Sequence, residues 1–457
     1  SFSSELEEGN VGRARELATA LRNVLGKLPF GSLAILGAAK VALEAQQQYE
    51  FALKKAGEEA VSYGRENDLP MVVVCGSLHV IHDPSINADI PHLLRRNGAL
   101  AIPMDCLPIN PGSPPMKKVY WGDSNRAMRA ADTASRMGDL FPLMISSFGC
   151  GPASFVEHFF QSLLGGHPHT ILESDGHGGE AGFVTRIQAF LESVRQYRTT
   201  HPESMGGSKS SILGFVEPGR STGSYMDRNV RYLFLRGPEY LGDLFAAVYR
   251  SYGYDAAAAP ALSKSNLALG QRDCSGKECL SYQMMWGAFR EYLDANPTDK
   301  QIRLMTITGE QCRAGVFAIK DRMAVEHMGI DDRVAVYPIR LAGGLGMLLR
   351  TWVYLIAQDL FRQLYLYHIA VEPESGAAER LYRGYCERLV ALAADPAPRG
   401  LAAASHLGLN QYRAVQLIRE ASHEFARMDS GNGNLRKVFL SGDLMTKSND
   451  FAAGGLF

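Results

Sequence analysis

Short apolar runs rich in β-branched residues alternate along this chain with longer stretches whose apolar positions recur every three or four residues. The first pattern is that of a strand buried on both faces and the second that of an amphipathic helix, so their alternation predicts parallel, doubly wound sheets. Residues 11–64 read as helix, with 42–60 as one long surface helix. Met71–Cys75 is a buried strand, the short helix Ile90–Arg96 leads to a second strand over Ala99–Met104, and a helix over 124–136 precedes the apolar run Phe141–Ile145. A helix from Ala153 to Leu164, a strand over Thr170–Glu173 and a helix from Ala181 to Tyr197 complete a first α/β domain.

A second alternation starts at Val230–Leu235 and continues through helix 239–250, a short strand near Ala256, helix 278–294, strand Ile302–Ile307, helix 313–328 and strand Val334–Val336. Residues 344–426 are helical by pattern, and Lys437–Leu440 reads as a last strand. The expected fold class is α/β: two doubly wound parallel-sheet domains of the Rossmann or flavodoxin kind plus a largely helical C-terminal segment. The expected boundaries are an N-terminal helical segment over 1–65, a first domain over 66–197, a polar glycine-rich linker over 198–228, a second domain over 229–340, and a helical segment over 341–457 that returns a last strand to the second domain.

Composition narrows the function more than the fold. The 457 residues carry a formal net charge of -1 with 21% charged residues, a balance that asks for neither nucleic acid nor a membrane surface. The longest apolar stretch, Leu341–Ala357, is interrupted by Arg350 and glycines and reads as a buried helix, not a membrane span. The polar, acidic start, Ser1–Asn10, is unlike a signal peptide. Seven cysteines spread over so long a chain suit a reducing cytoplasm, with some thiols assigned to metal.

Three cysteines share one situation: Cys150 and Cys312 each follow a strand, and Cys279 stands at the start of a helix after glycine. Open α/β sheets collect ligands there, and soft thiolates from separated loops suit an iron–sulfur cluster or zinc. The glycines flanking Cys150 give clearance to something bulky, while a packing turn is the plain alternative. Cys75, Cys106 and Cys386 lie in apolar surroundings and read as packing thiols, and Met284-Met285-Trp286 reads as core. Asp175, His177 and Glu180 form a polar turn after a strand, suited to proton transfer or simply to capping a helix. His79 and His82 occupy another strand-end loop, and Arg186 and Arg313 could neutralise an anionic group. Gly206-Gly207-Ser208-Lys209-Ser210 lacks the spacing of a phosphate loop.

Longer motifs carry a resemblance. His79-Val80-Ile81-His82-Asp83-Pro84-Ser85-Ile86-Asn87, Ile102-Pro103-Met104-Asp105-Cys106-Leu107-Pro108, Val119-Tyr120-Trp121 and Phe148-Gly149-Cys150-Gly151-Pro152 occur in order. The stretch Leu172–Leu191, then Ser275–Cys279, Gln311-Cys312-Arg313, Gly442-Asp443 and Asn449-Asp450-Phe451 follow. Over roughly residues 40–457 the chain resembles the large proteins related to 2-hydroxyacyl-CoA dehydratases and their activases. The resemblance implies an iron–sulfur protein of anaerobic metabolism with a four-iron four-sulfur cluster or a double cubane. It also implies an oligomer that takes a low-potential electron from an ATP-driven activase of actin-like fold, separate or fused, and reduces or dehydrates an acyl-CoA or another small substrate. Carried over by position, Cys150, Cys279 and Cys312 are the cluster ligands, and Cys274 is an additional candidate the pattern does not supply. Departures are plain: Leu280-Ser281 follow Cys279 where the family has tyrosine-proline, Glu310-Gln311 precede Cys312 where it has glycine-proline, and its upstream cysteine-tyrosine-proline ligand has no counterpart here. The alternative is a non-catalytic two-domain scaffold that binds partner subunits or a small molecule.

Overall fold

The computed structural model describes residues 32–455 except 114, 117–118, 148–150, 175–179, 202–225, 298–299, 307–312, 340–343, 399, 401 and 429–437, with a few positions before residue 32. The chain divides into two compact units, 1–217 and 218–457. Each contains a parallel sheet with four strands among the described residues, as the alternating pattern predicts.

In the first unit, helix α1 (Ser32–Glu66) leads into β1 (Met71–Gly76), whose β-branched residues are buried on both faces at the centre of the sheet. Short helices α2 (Leu78–Ile81) and α3 (Ile90–Arg96) precede β2 (Leu100–Pro103). Helix α4 (Gly122–Met137) returns the chain to β3 (Leu140–Ser147), and α5 (Gly151–Leu164) to β4 (Thr170–Ser174), after which α6 (Glu180–Thr200) follows. The strand order is β2-β1-β3-β4, with Met71 in register with both Leu100 and Leu140. Helix α4 turns Ala127, Ala130, Ala131 and Ala134 inward, and such small side chains let it lie close to the sheet. Gly57 of α1 approaches so closely that a Cβ there would stand 1.9 Å from the Cys106 carbonyl oxygen, which fixes the long helix against the loop after β2.

The second unit repeats the plan with β5 (Arg231–Phe234), α7 (Leu241–Ser251), β6 (Asp255–Ala258), α8 (Lys264–Asp273), α9 (Leu280–Ala295), β7 (Ile302–Thr306), α10 (Phe317–His327) and β8 (Val334–Pro338). Its order is β6-β5-β7-β8, again all parallel. Helices α11 (Leu345–His368), α12 (Ala377–Ala393) and α13 (Ala402–Ala426) complete its core, where Tyr232, Phe234 and Tyr249 meet Tyr354, Phe361, Tyr382 and Phe425.

Two expectations change here. The stretch 341–357 is not a fully buried helix: Met347, Tyr354 and Ala357 of α11 are buried, but Leu345 and Trp352 are exposed. Arg350, which interrupts its apolar run, is itself buried and donates to the carbonyls of Leu392 and Asp395, tying α11 to the end of α12. The last strand expected at Lys437–Leu440 is absent over the described residues 438–440, which are irregular, with Val438 and Phe439 exposed. The chain instead ends its described part in a short helix, α14 (Leu444–Ser448), and turns. Among the described residues no helix is long and apolar enough to cross a membrane.

Candidate functional site

In the first sheet the connection from β1 runs outward to β2 and that from β3 runs the opposite way to β4, so the carboxyl ends of β1 and β3 flank a topological switch point. The ends of β5 and β7 do the same in the second sheet. Phe148-Gly149-Cys150 follows β3 directly, and Cys312 follows β7 and immediately precedes the helical turn that starts at Arg313. Cys150 and Cys312 themselves lie outside the described residues, as do Asp175, His177 and the segment 206–210; Glu180 begins α6, and its side chain is likewise outside.

Cys274 and Cys279 are described, and the turn that carries them is rigidly built. Helix α8 starts with a capping box in which Ser263 and Asn266 satisfy each other's backbone donors. It then crosses α9 at glycines: a Cβ on Gly270 would stand 1.8 Å from the Gln283 carbonyl oxygen, and one on Gly287 would stand 1.6 Å from that of Asn266. Asp273 closes α8 by accepting from Trp286 Nε1 at 2.9 Å and pairing with Arg290 at 3.1 Å. Within the turn, Glu278 accepts from the Ser275 amide and hydroxyl, both at 3.0 Å, and pairs with Lys320 at 2.9 Å. Gln283 Nε2 donates to the Glu278 carbonyl at 2.7 Å.

Cys279 is the N-cap of α9 with extended backbone. Cys274 is half-buried, and burial, then the Glu278 charge, pushes its thiol up to about 12, so it is a thiol and not a thiolate at neutral pH. Ser281, one of the departures from the family pattern, donates to Asp443 Oδ2 at 2.8 Å and so brings the terminal Gly-Asp motif to the first turn of α9. The same terminal segment is fixed by Arg362, which donates to the carbonyls of Lys447 and Ser448, and by Asn449, which donates to that of Gly237 in the loop after β5.

The Glu278–Lys320 pair is almost wholly withdrawn from water, with side chains 0% and 13% exposed. Lys320→Met strands a buried carboxylate and is expected to cost the second unit about 3 kcal/mol, with Glu278→Gln on that background restoring part of the loss in urea denaturation.

Beside this turn, Leu235 past the end of β5 and Thr306 at the end of β7 line a cavity of about 10 Å³ with Tyr282, Trp286, Phe317 and Asp321. The Asp321 side chain is buried, its Oδ2 lacks a hydrogen-bond partner, and burial pushes its carboxyl up to about 8. It is therefore an acid and not an anion at neutral pH. Neither Asp321 nor the Gly270–Gly287 crossing stands out from the sequence pattern; the glycines inside helical stretches are the signal that could have found the crossing.

At the first sheet, His82 Nε2 meets both carboxylate oxygens of Asp105, at 3.1 and 3.0 Å, while His79 is exposed. Arg186 is exposed on α6. Cys75 and Cys386 are buried packing thiols, as expected; Cys106 is half-buried, and burial followed by the Asp105 charge raises its thiol. None of the five described cysteines forms a disulfide.

A four-iron cluster needs about four thiolates or equivalent donors. Among the described residues no group of three or more His, Cys, Asp or Glu side chains is arranged to hold a metal ion. Cys274 and Cys279 fit as part of a donor set and are not one by themselves.

No curated protein and no solved structure matches the chain. Residues 7–107 match the family model described as the CoA enzyme activase uncharacterised domain. The matched stretch runs through α1, β1 and β2 to the loop that holds Asp105 and Cys106. This stretch of the first unit is thus similar to the CoA enzyme activase uncharacterised domain.

Proposed function

We propose that this chain is the cluster-binding, electron-accepting component of a 2-hydroxyacyl-CoA dehydratase-type system. Cys150, Cys279 and Cys312 hold an iron–sulfur cluster, a four-iron four-sulfur centre or a double cubane, and Cys274 is a further donor. A separate or fused ATPase of actin-like fold delivers the electron, and a small substrate such as an acyl-CoA is reduced or dehydrated. When bound, the cluster supplies the one-electron chemistry. The residues of the chain do the rest. The Gly270–Gly287 crossing and the Glu278–Lys320 pair fix the turn that presents Cys274 and Cys279. Asp175, His177 and Glu180 are the candidates for moving protons.

The observation that supports this reading best is the match of residues 7–107 to an activase-related domain. The repeated sheet plan adds to it, because β3 and β7, the strands that Cys150 and Cys312 follow in the sequence, each end at a switch point of their sheet. The test is metal analysis of protein prepared without oxygen. Iron, acid-labile sulfide and a paramagnetic resonance signal after reduction are expected, each falling by half or more in Cys279→Ala and in Cys312→Ala. Colourless, iron-free wild-type protein would instead favour a scaffold that binds partners without chemistry of its own.

A further inference from the structure

His82 caps α2 in the loop after β1, and Asp105 lies in the turn after β2, so both stand at the carboxyl edge of the first sheet. The Asp105 side chain is 5% exposed and meets Nε2 of His82 with both oxygens, whereas the His82 side chain is 46% exposed. An ionised carboxylate can only accept, so Nε2 carries the hydrogen and Nδ1 is left as the basic nitrogen. This is how a base is oriented by a third group in proton-transfer sites, and it differs from an exposed ion pair in that the carboxylate is withdrawn from water.

The loop is held firmly as well. The Leu78 amide donates to Asp123 at 3.0 Å, Asn87 Nδ2 to the Ile81 carbonyl at 2.9 Å, and the Ser174 hydroxyl at the end of β4 to the Ile86 carbonyl. Ala88 and Asp89 of the same loop both have left-handed backbone, with φ of 52° and 53°, which L-residues adopt at a cost. A surface turn with no task would not need such bracing. β3 ends at this same edge, at Ser147, three residues before Cys150 in the sequence.

We propose that His82 and Asp105 form an acid–base dyad, in which Asp105 holds Nε2–H and Nδ1 exchanges a proton with the carbonyl or hydroxyl oxygen of a small acyl ligand. The class of ligand rests on the reading under Proposed function; the dyad does not. In the step itself the N–H bond at Nδ1 breaks as an O–H bond forms on the ligand, or the reverse, and the Asp105 carboxylate stays bonded to Nε2–H throughout. Both residues lie inside the matched stretch 7–107, so the dyad gives that domain a chemical task.

The first test uses diethyl pyrocarbonate, which acylates neutral imidazole, with peptide mapping of the modified histidines on the pH-independent plateau of the reaction. His82 is expected to react about tenfold faster than His79, although both are exposed. Asp105→Asn removes the difference, and Asp105→Glu, which keeps a carboxylate and stands in if the asparagine variant does not fold, retains most of it. Equal rates at His82 and His79 in the wild type, or a His82 rate unchanged in Asp105→Asn, overturn the proposal.

The second test uses cluster-loaded protein with an ATP-driven activase and a 2-hydroxyacyl-CoA. His82→Gln is expected to lose roughly a hundredfold in turnover with an unchanged resonance spectrum. Unchanged turnover, or a lost spectrum, overturns the catalytic role. A wild-type protein with no cluster counts against the function proposed above, and the acylation rates then decide the dyad alone.

Discussion

Gly287→Ala is expected to destabilise the second unit by about 3–5 kcal/mol in urea denaturation. In an isolated helix the same change would stabilise by about 1 kcal/mol, because alanine is the better helix former. Packing reverses the sign. The new methyl carbon would stand 1.6 Å from the Asn266 carbonyl oxygen and 2.8 Å from the Gly270 amide nitrogen, and both are backbone atoms that cannot swing aside. Helices α8 and α9 must separate, at a cost beyond the 1–3 kcal/mol typical of an overpacked core, and the turn with Cys274 and Cys279 moves with them. Gly270→Ala meets the Gln283 carbonyl in the same way. Gly384→Ala in α12 is the control: its methyl would meet nothing within 4 Å, and a gain of about 0.5–1 kcal/mol is expected. Should Gly287→Ala match Gly384→Ala, the close crossing of α8 and α9 would be wrong.

The second large effect is one of pH. In the folded protein Asp321 holds its proton up to about 8, whereas in the unfolded chain it releases it near the ordinary value of about 3.9. Between these limits the folded state binds the extra proton, so the stability contributed at low pH is lost as the pH rises. The slope approaches roughly 1.4 kcal/mol per pH unit, and the whole interval amounts to on the order of 5 kcal/mol. Asp321→Asn keeps the shape and removes the titration. The difference in urea-unfolding free energy between wild type and variant should therefore shrink steadily from pH 5 to pH 8, in favour of the variant. A difference independent of pH would show that Asp321 is ionised in the fold.

The fold was legible where a run of residues has one use only. Met71-Val72-Val73-Val74-Cys75 is too apolar and too β-branched for an exposed strand, and it is the central, doubly buried β1. The same reasoning failed at Val438-Phe439-Leu440, where an apolar triplet read as a strand lies exposed and irregular. Local pattern reports what a segment could pair with, not whether a sheet edge is there to receive it, and the second sheet ends at β8. Of the candidate site, Cys150 and Cys312 lie outside the described residues; the ends of β3 at Ser147 and β7 at Thr306, which come before them in the sequence, follow from where the apolar runs stop. What surrounds Cys274 and Cys279 does not: the contact of Gly270 with Gln283, the pairing of Glu278 with Lys320 and the hydrogen bond from Ser281 to Asp443 each join residues whose meeting depends on how helices cross. Ser281, read from the sequence as a departure from a family pattern, is in three dimensions the link to the terminal motif.

That link bears on how the protein is made. Asn449 donates to the Gly237 carbonyl across 212 positions of sequence, and Arg362 takes the carbonyls of Lys447 and Ser448. On the ribosome, the first unit can acquire all of its strands while the second is still being synthesised. The second unit cannot close the loop after β5 until the segment around Leu444–Asn449 has emerged, so its final contacts close a long loop. A nascent second unit therefore waits with the first turn of α9 incomplete until that segment has emerged.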